Sequence, residues 1–324
     1  MLKKLTIRKF LVSMAALMAL FLIYLIPKEN TYSLKDKTKT ELEYVDKEIL
    51  TETIYLYDRN GFLARTKVAV SKKTETVETK VKELLEVLIR DGAGESKIPN
   101  GFKAVIPTDT KILSLNYADG LLKVNFSKEL LEDVKKEEEE KIIEAIVYTV
   151  TSIEEIEKVI IYMEGDILNY LPKSKITLPS TLDRSFGINK EYDIKSNKEV
   201  TGVTIYYINQ YKDDTYYVPV TKYTNDNREK IDIIIDELAS APLYHSNLMS
   251  FLNQNVKLLE AEQADHQMNL EFNSYIFNDI DEKNILEEVI YTICLSIGDN
   301  YDVEEVSFTV EDEEIYKSVI KTIE

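Results

Sequence analysis

The chain has 324 residues, room for about two domains of ordinary size. With 40 Lys+Arg against 58 Asp+Glu the net charge is -18, so a nucleic-acid backbone would have to be held against the overall field. At 44% hydrophobic residues with only 9 Gly and 7 Pro the chain is neither disordered nor fibrous, and its one cysteine, Cys294, excludes an internal disulfide and a lipid-modified N-terminus.

Residues 1–9 form a basic tail carrying Lys3, Lys4, Arg8 and Lys9. Residues 10–26, from Phe10 to Ile26, are apolar apart from Ser13 and are closed by Pro27. At about 1.5 Å per residue such a helix reaches about 25 Å, the short end of what crosses a bilayer. No small-x-small site follows it, so an uncleaved transmembrane anchor is expected ahead of a cleaved signal. The lysines beyond it, Lys28, Lys35, Lys37 and Lys39, are interleaved with acids, which favours a cytoplasmic N-terminus and the remainder outside. Residues 27–52 are polar without a sustained period and read as a juxtamembrane spacer.

A first domain is expected over residues 53–170. TIYLY and LARTKVAV flank Arg59-Asn60-Gly61 and predict a hairpin. Val77, Val81, Leu84, Leu85 and Leu88 then fall on one helical stripe, with Asp91-Gly92 expected to supply a left-handed stop at the glycine. Leu113, Leu115 and Tyr117, followed by Leu122, Val124 and Phe126 across Asp119-Gly120, predict a second hairpin with one apolar face. A helix carrying Ile142, Ile146, Thr149, Val150 and Ile153 follows. Its opening KKEEEEK, Lys135 to Lys141, is read as a solvated start favoured by the helix dipole. Lys158 to Met163 reads as a buried strand ended by Glu164-Gly165-Asp166.

Residues 171–200 are expected to be a linker, with Phe186, Ile188 and Tyr192 packing it onto something. Residues 201–316 then repeat the first domain. Val203 to Ile208 and Tyr216 to Tyr223 form a hairpin, and Asp226 with Glu229 is expected to cap a helix bearing Ile231, Ile234, Ile235 and Leu238. About 146 residues beyond Leu122, Val124 and Phe126 stand Met268, Leu270 and Phe272. A helix with Leu286, Val289, Ile290, Ile293 and Ile297 and a strand with Val306, Phe308 and Val310 complete the copy, and residues 317–324 are a tail. The fold class expected is α+β, two tandem ββαββαβ repeats, each a small sheet with two helices on one face.

A repeated fold without repeated reactive residues argues for a scaffold or binding part over an enzyme. His266 stands at the place of Gly120 and is expected to serve a left-handed turn, while His245 has no second histidine or cysteine near it. Neither nominates a metal or a base, Cys294 lies in an apolar run, and Gly92-Ala93-Gly94 follows a helix where a phosphate loop would follow a strand. No catalytic, cofactor-binding or metal residue is therefore assigned, and no cofactor is expected. Tyr55, Tyr57, Tyr206, Tyr207, Tyr216 and Tyr217 cluster in the first hairpin of each copy. They read as packing or as a partner-binding face, with peptidoglycan as one partner.

The runs IIEAIVYTVTSI (142–153), VIIYMEG (159–165) and LLKVNFSKEL (121–130) resemble the GerMN domain of sporulation and germination proteins. MNLEFNS, VIYTI and VEEVSFTVED in the second copy are similar, and a Tyr-Thr step occurs in both, Tyr148-Thr149 and Tyr291-Thr292. The resemblance implies a non-catalytic envelope protein of spore formers that helps to assemble septal or spore-envelope complexes with other envelope proteins. It also implies an αββαβ core similar to ring-building motifs, hence oligomerisation. Members with this arrangement are typically lipoproteins, whereas this chain would depend on residues 10–26.

Overall fold

The computed structural model describes residues 14, 18, 50–71, 76–240, 247–279, 281–320 and 323. The expected anchor lies outside them, save for the helical Met14 and Met18, and among the described residues no helix is long and apolar enough to cross a membrane. His245 also lies outside them.

The element order follows the repeat. The first copy contains β1 (Thr51–Tyr57), β2 (Leu63–Ala69), α1 (Val77–Leu88), β3 (Ile112–Ala118), β4 (Leu121–Phe126), α2 (Lys136–Val150), β5 (Lys158–Met163) and a short β6 (Asp166–Ile167). After β7 (Glu191–Asp193) come β8 (Thr201–Tyr211), β9 (Asp214–Thr224), α3 (Lys230–Ala239), β10 (Leu258–Ala264), β11 (Gln267–Phe272), α4 (Glu287–Asn300), β12 (Glu305–Val310) and β13 (Glu313–Val319). The closing strands, the two-residue β6 and the seven-residue β13, were not expected. Each follows a turn with left-handed residues, Glu164-Gly165 and Glu311-Asp312, which reverses the chain onto the strand before it.

Each copy has a four-stranded sheet, β3-β4-β5-β6 and β10-β11-β12-β13, in which the hairpin meets the next strand in parallel through a helical crossover. Leu122, Val124 and Phe126 are fully buried, as are Leu270 and Phe272, because alternation along β4 and β11 presents them to the helices. Both outer hairpin strands carry a bulge that departs from the simple alternation. Leu113 and Leu259 fall between paired neighbours and turn outward, 46% and 59% exposed.

The first hairpins do not belong to these sheets. β1-β2 and β9-β8 join edge to edge through Arg65 and Tyr217 into one five-stranded sheet that β7 completes alongside β9. Two self-contained domains with helices on one face were expected. Instead the helices lie between a private sheet and the shared one, α2 against β1 and β5, α4 against β8. Burial of both helix flanks explains why Ile142, Ile143, Ala145, Ile146 and Val147 are all inaccessible, a wider stripe than one face provides.

Several local expectations change for the same reason. KKEEEEK is not uniformly solvated. Glu139 is fully buried and its carboxylate accepts the N–H groups of Lys173, at 2.9 Å, and Ser174, at 2.6 Å. α1 stops at Leu88 with Ile89 extended, and the left-handed residue is Asp91 (φ 52°), not Gly92. Asp226 does not cap α3: it binds the backbone and guanidinium of Arg228, and Glu229 occupies the cap without a side-chain bond. In the Asp119-Gly120 turn both residues are left-handed, whereas in the second copy only Asp265 is. His266 therefore does not take the strained position, although its carbonyl accepts from Glu304 and Glu305 as that of Gly120 does from Glu157 and Lys158.

Candidate functional site

The richest chemistry in the molecule lies at the seam where the repeats meet, and much of it is supplied by the expected linker. Ile188 is fully buried, and its N–H and C=O engage Thr221 of β9. Asn189 follows in the left-handed region (φ 46°), which an asparagine tolerates, and it fills the gap beside the single β2-β9 pair. Its amide donates to the carbonyls of Leu63, at 2.8 Å, and Pro219, at 2.7 Å, and its Oδ1 accepts from Leu63 N–H at 3.0 Å. One side chain thus stands in for a missing strand residue between the copies.

Behind it sits Glu144 of α2, which accepts Asn189 N–H at 2.9 Å and faces Lys190 at 3.9 Å. Burial pushes this carboxyl up to about 7, against the pull of Lys190. Lys190 also pairs with Glu140 at 2.7 Å and lies 3.4 Å from the centre of the Phe186 ring. Lys141 reaches the carbonyl of Gly61 at 3.0 Å, and burial lowers its pKa.

A second cluster lies along the seam. Tyr55 and Tyr206 share a hydroxyl hydrogen bond of 2.8 Å, and Tyr206 donates to Asp299 at 2.9 Å. Asp299 is ion-paired with Arg184, whose guanidinium also donates to Ser152 at 3.0 Å and lies 5.0 Å from the Tyr148 ring centre. Burial works against the charge on Arg184, but Asp299 together with Tyr55, Tyr206 and Tyr148 outweighs it and raises the pKa well above the ordinary value. Burial likewise pushes the Tyr148 and Tyr206 hydroxyls far up, so both remain protonated donors. At the hairpin tips, buried Asp58 accepts from Asn60 and Phe62 N–H and from the side chains of Asn209, at 3.0 Å, and Tyr216, at 3.1 Å.

Five of the six hairpin tyrosines are thereby accounted for. Tyr55, Tyr206, Tyr207, Tyr216 and Tyr217 are all less than one tenth exposed, because both faces of the shared sheet are covered, so a wall-binding surface cannot be built on Tyr206 and Tyr216. The Tyr-Thr steps are not equivalent between copies. Thr149 Oγ1 accepts Tyr55 N–H at 3.1 Å and Ser296 Oγ accepts Tyr206 N–H at 2.9 Å, which aligns Thr149 with Ser296; Thr292 turns back onto its own helix. Cys294 is fully buried, and burial raises its thiol to about 12. His266 is exposed, 3.7 Å from Asp302. Among the described residues no group of three or more His, Cys, Asp or Glu could hold a metal ion.

The seam holds side chains in fixed partnerships, and its geometry can keep two repeats at one spacing and angle. A groove of about 870 Å³ runs beside it, floored by Tyr55, Tyr206, Arg184 and Asp299. Sequence reasoning missed Arg184, Asn189 and Lys190 as seam residues; their only signal was the apolar Phe186 and Ile188 beside them, which marked the segment as packed.

Comparison with known proteins matches both halves. The Germane family, described as sporulation and spore germination, covers residues 53–169 and 204–316. The chain is 35% identical over 263 residues to the spore germination protein GerM of Bacillus subtilis (strain 168), covering 79% of this chain and 70% of that protein. It is similar to the solved structure of the tandem GerMN domains of the sporulation protein GerM from Bacillus subtilis, with a TM-score of 0.73 and 30% identity over 82% of this chain and 92% of that one. With two copies in tandem and the same α+β architecture throughout, the chain belongs to the Germane family and is a GerM-like sporulation and germination protein.

Proposed function

We propose that this protein is a non-catalytic scaffold in spore envelope or septum assembly, held at the membrane by residues 10–26 with both repeats outside the cytoplasm. The observation that carries the reading is the shared five-stranded sheet, which fixes two copies of one fold relative to each other. A component that sets distances between envelope partners needs such a rigid double unit; an enzyme would need a reactive group held ready in a cleft. Arg184, Asp299, Glu144 and Lys190 of the seam are each engaged with one another or with the backbone. The αββαβ core, similar to ring-building motifs, supports self-association as part of the same role.

Deletion of the coding sequence in a spore former is expected to impair sporulation or germination. The tagged chain, cross-linked in sporulating cells, is expected to bring down envelope proteins from the membrane fraction. Normal spores together with recovery of the chain alone would remove the basis for the proposal.

A further inference from the structure

The two repeats differ at one edge in a way that bears on partner binding. In the second copy, Thr204 of β8 turns its N–H and C=O away from β9, and the side chain of Asn300 meets both. Thr204 N–H donates to Oδ1 at 3.2 Å and Nδ2 donates to the Thr204 carbonyl at 2.7 Å. Asn300 imitates a neighbouring strand and closes that edge.

Aligning Thr149 with Ser296 puts Ile153 opposite Asn300, and aligning Tyr55 with Tyr206 puts Thr53 opposite Thr204. α2 ends at Val150, whereas α4 continues to Asn300, and Ile153 turns into the core at 1% exposure. Tyr57 pairs outward with Lys103 through both main-chain groups, so alternation along β1 directs Thr53 and Thr51 outward as well. Neither has a hydrogen-bond partner on that side among the described residues, and both line the 870 Å³ groove. The first copy thus leaves open the edge that the second copy closes.

The groove selects by charge. Lys80 is paired with Glu52 and Arg184 with Asp299. Taken whole, the lining holds seven carboxylates against four cations, so it is acidic in sum. We propose that the open edge of β1 at Thr51–Thr53 accepts an extended, basic segment of a partner protein as an added strand in this inter-repeat groove. Main-chain hydrogen bonds hold the segment and the carboxylate rim favours lysine or arginine on it. This gives the scaffold reading a place and a chemistry for its partner, and rests on that reading only in taking the occupant to be a protein.

The test uses the full chain in detergent micelles and an acetylated, amidated heptapeptide alternating lysine with valine. Saturable binding is expected, with slowed amide exchange at Thr53; the same pattern with glutamate for lysine should bind far more weakly. Thr53→Pro removes an edge N–H that β2 does not use, and should weaken binding about tenfold or more while leaving the melting temperature near that of the parent. If that variant fails to fold, a peptide N-methylated at its edge-facing amides carries the test and should not bind. Absence of saturable binding, equal binding of the glutamate peptide, undiminished binding by Thr53→Pro or by the N-methylated peptide, or a Thr53 amide already protected without peptide would each overturn the inference. Loss of the peptide site with cross-linking to envelope partners intact would sink the groove and leave the scaffold reading standing.

Discussion

Replacing Asn189 by alanine removes the side chain that stitches β2 to β9, and the cost follows from the groups it leaves behind. Leu63 N–H, Leu63 C=O and Pro219 C=O lose their partner at a site where Asn189 itself is 6% exposed. Each buried, unpaired main-chain group costs about 1–3 kcal/mol, and partial entry of water brings the sum to about 3–5 kcal/mol. Alanine at φ 46° adds about 1 kcal/mol of backbone strain that glycine would not. Asn189→Gly should therefore be less damaging than Asn189→Ala by about that amount, which separates strain from lost hydrogen bonds. Urea unfolding followed by far-ultraviolet dichroism and tyrosine emission measures both, since the chain has 21 Tyr and no Trp. Because the shared sheet is the joint between repeats, the variant should also broaden or split a single transition as the copies uncouple. A loss below about 1 kcal/mol with the transition unchanged would show that the seam is held elsewhere and refute the reasoning.

Three further outcomes follow from the same contacts. Glu144 has its pKa raised from 4.5 to about 7, so the folded state binds the extra proton between those values and stability falls as pH rises through that window. The shift corresponds to about 3 kcal/mol, and Glu144→Gln, which can still accept from Asn189, should flatten the slope; unfolding midpoints across that range check it, and an unchanged slope counts against it. Cys294, with its thiol raised to about 12, should resist an aromatic disulfide reagent in the native protein and react fully in denaturant, as absorbance will report. A Cβ at Gly101 would lie 2.6 Å from the Tyr211 ring at φ +94°, so Gly101→Ala should lower stability by about 1–3 kcal/mol, read from thermal unfolding.

The repeat, its helices and most strands were legible because apolar periodicity is written locally: Leu122, Val124 and Phe126 and their later counterparts alternate as a half-buried strand must. What escaped was set by contacts distant in sequence. Nothing near Leu63 announces that β2 will meet β9 through Tyr217, and nothing near Glu139 announces that two backbone N–H groups from residues 173 and 174 will need its carboxylate. Polar residues in an aperiodic segment look solvated until their partners are known, which is why Arg184, Asn189 and Lys190 passed as linker. The Tyr-Thr steps misled for a related reason. Two identical dipeptides suggested equivalence, while the hydroxyls that satisfy Tyr55 and Tyr206 belong to a threonine and a serine.

The bulges at Leu113 and Leu259 carry a consequence for crowding. β3 and β10 each form one of the two edges of their private sheet, and straight, unbroken rims there would invite like rims to zip together. An extra residue kept at the same point in both copies kinks each rim out of true. Many chains packed into a narrow space would thus be discouraged from stacking through these strands.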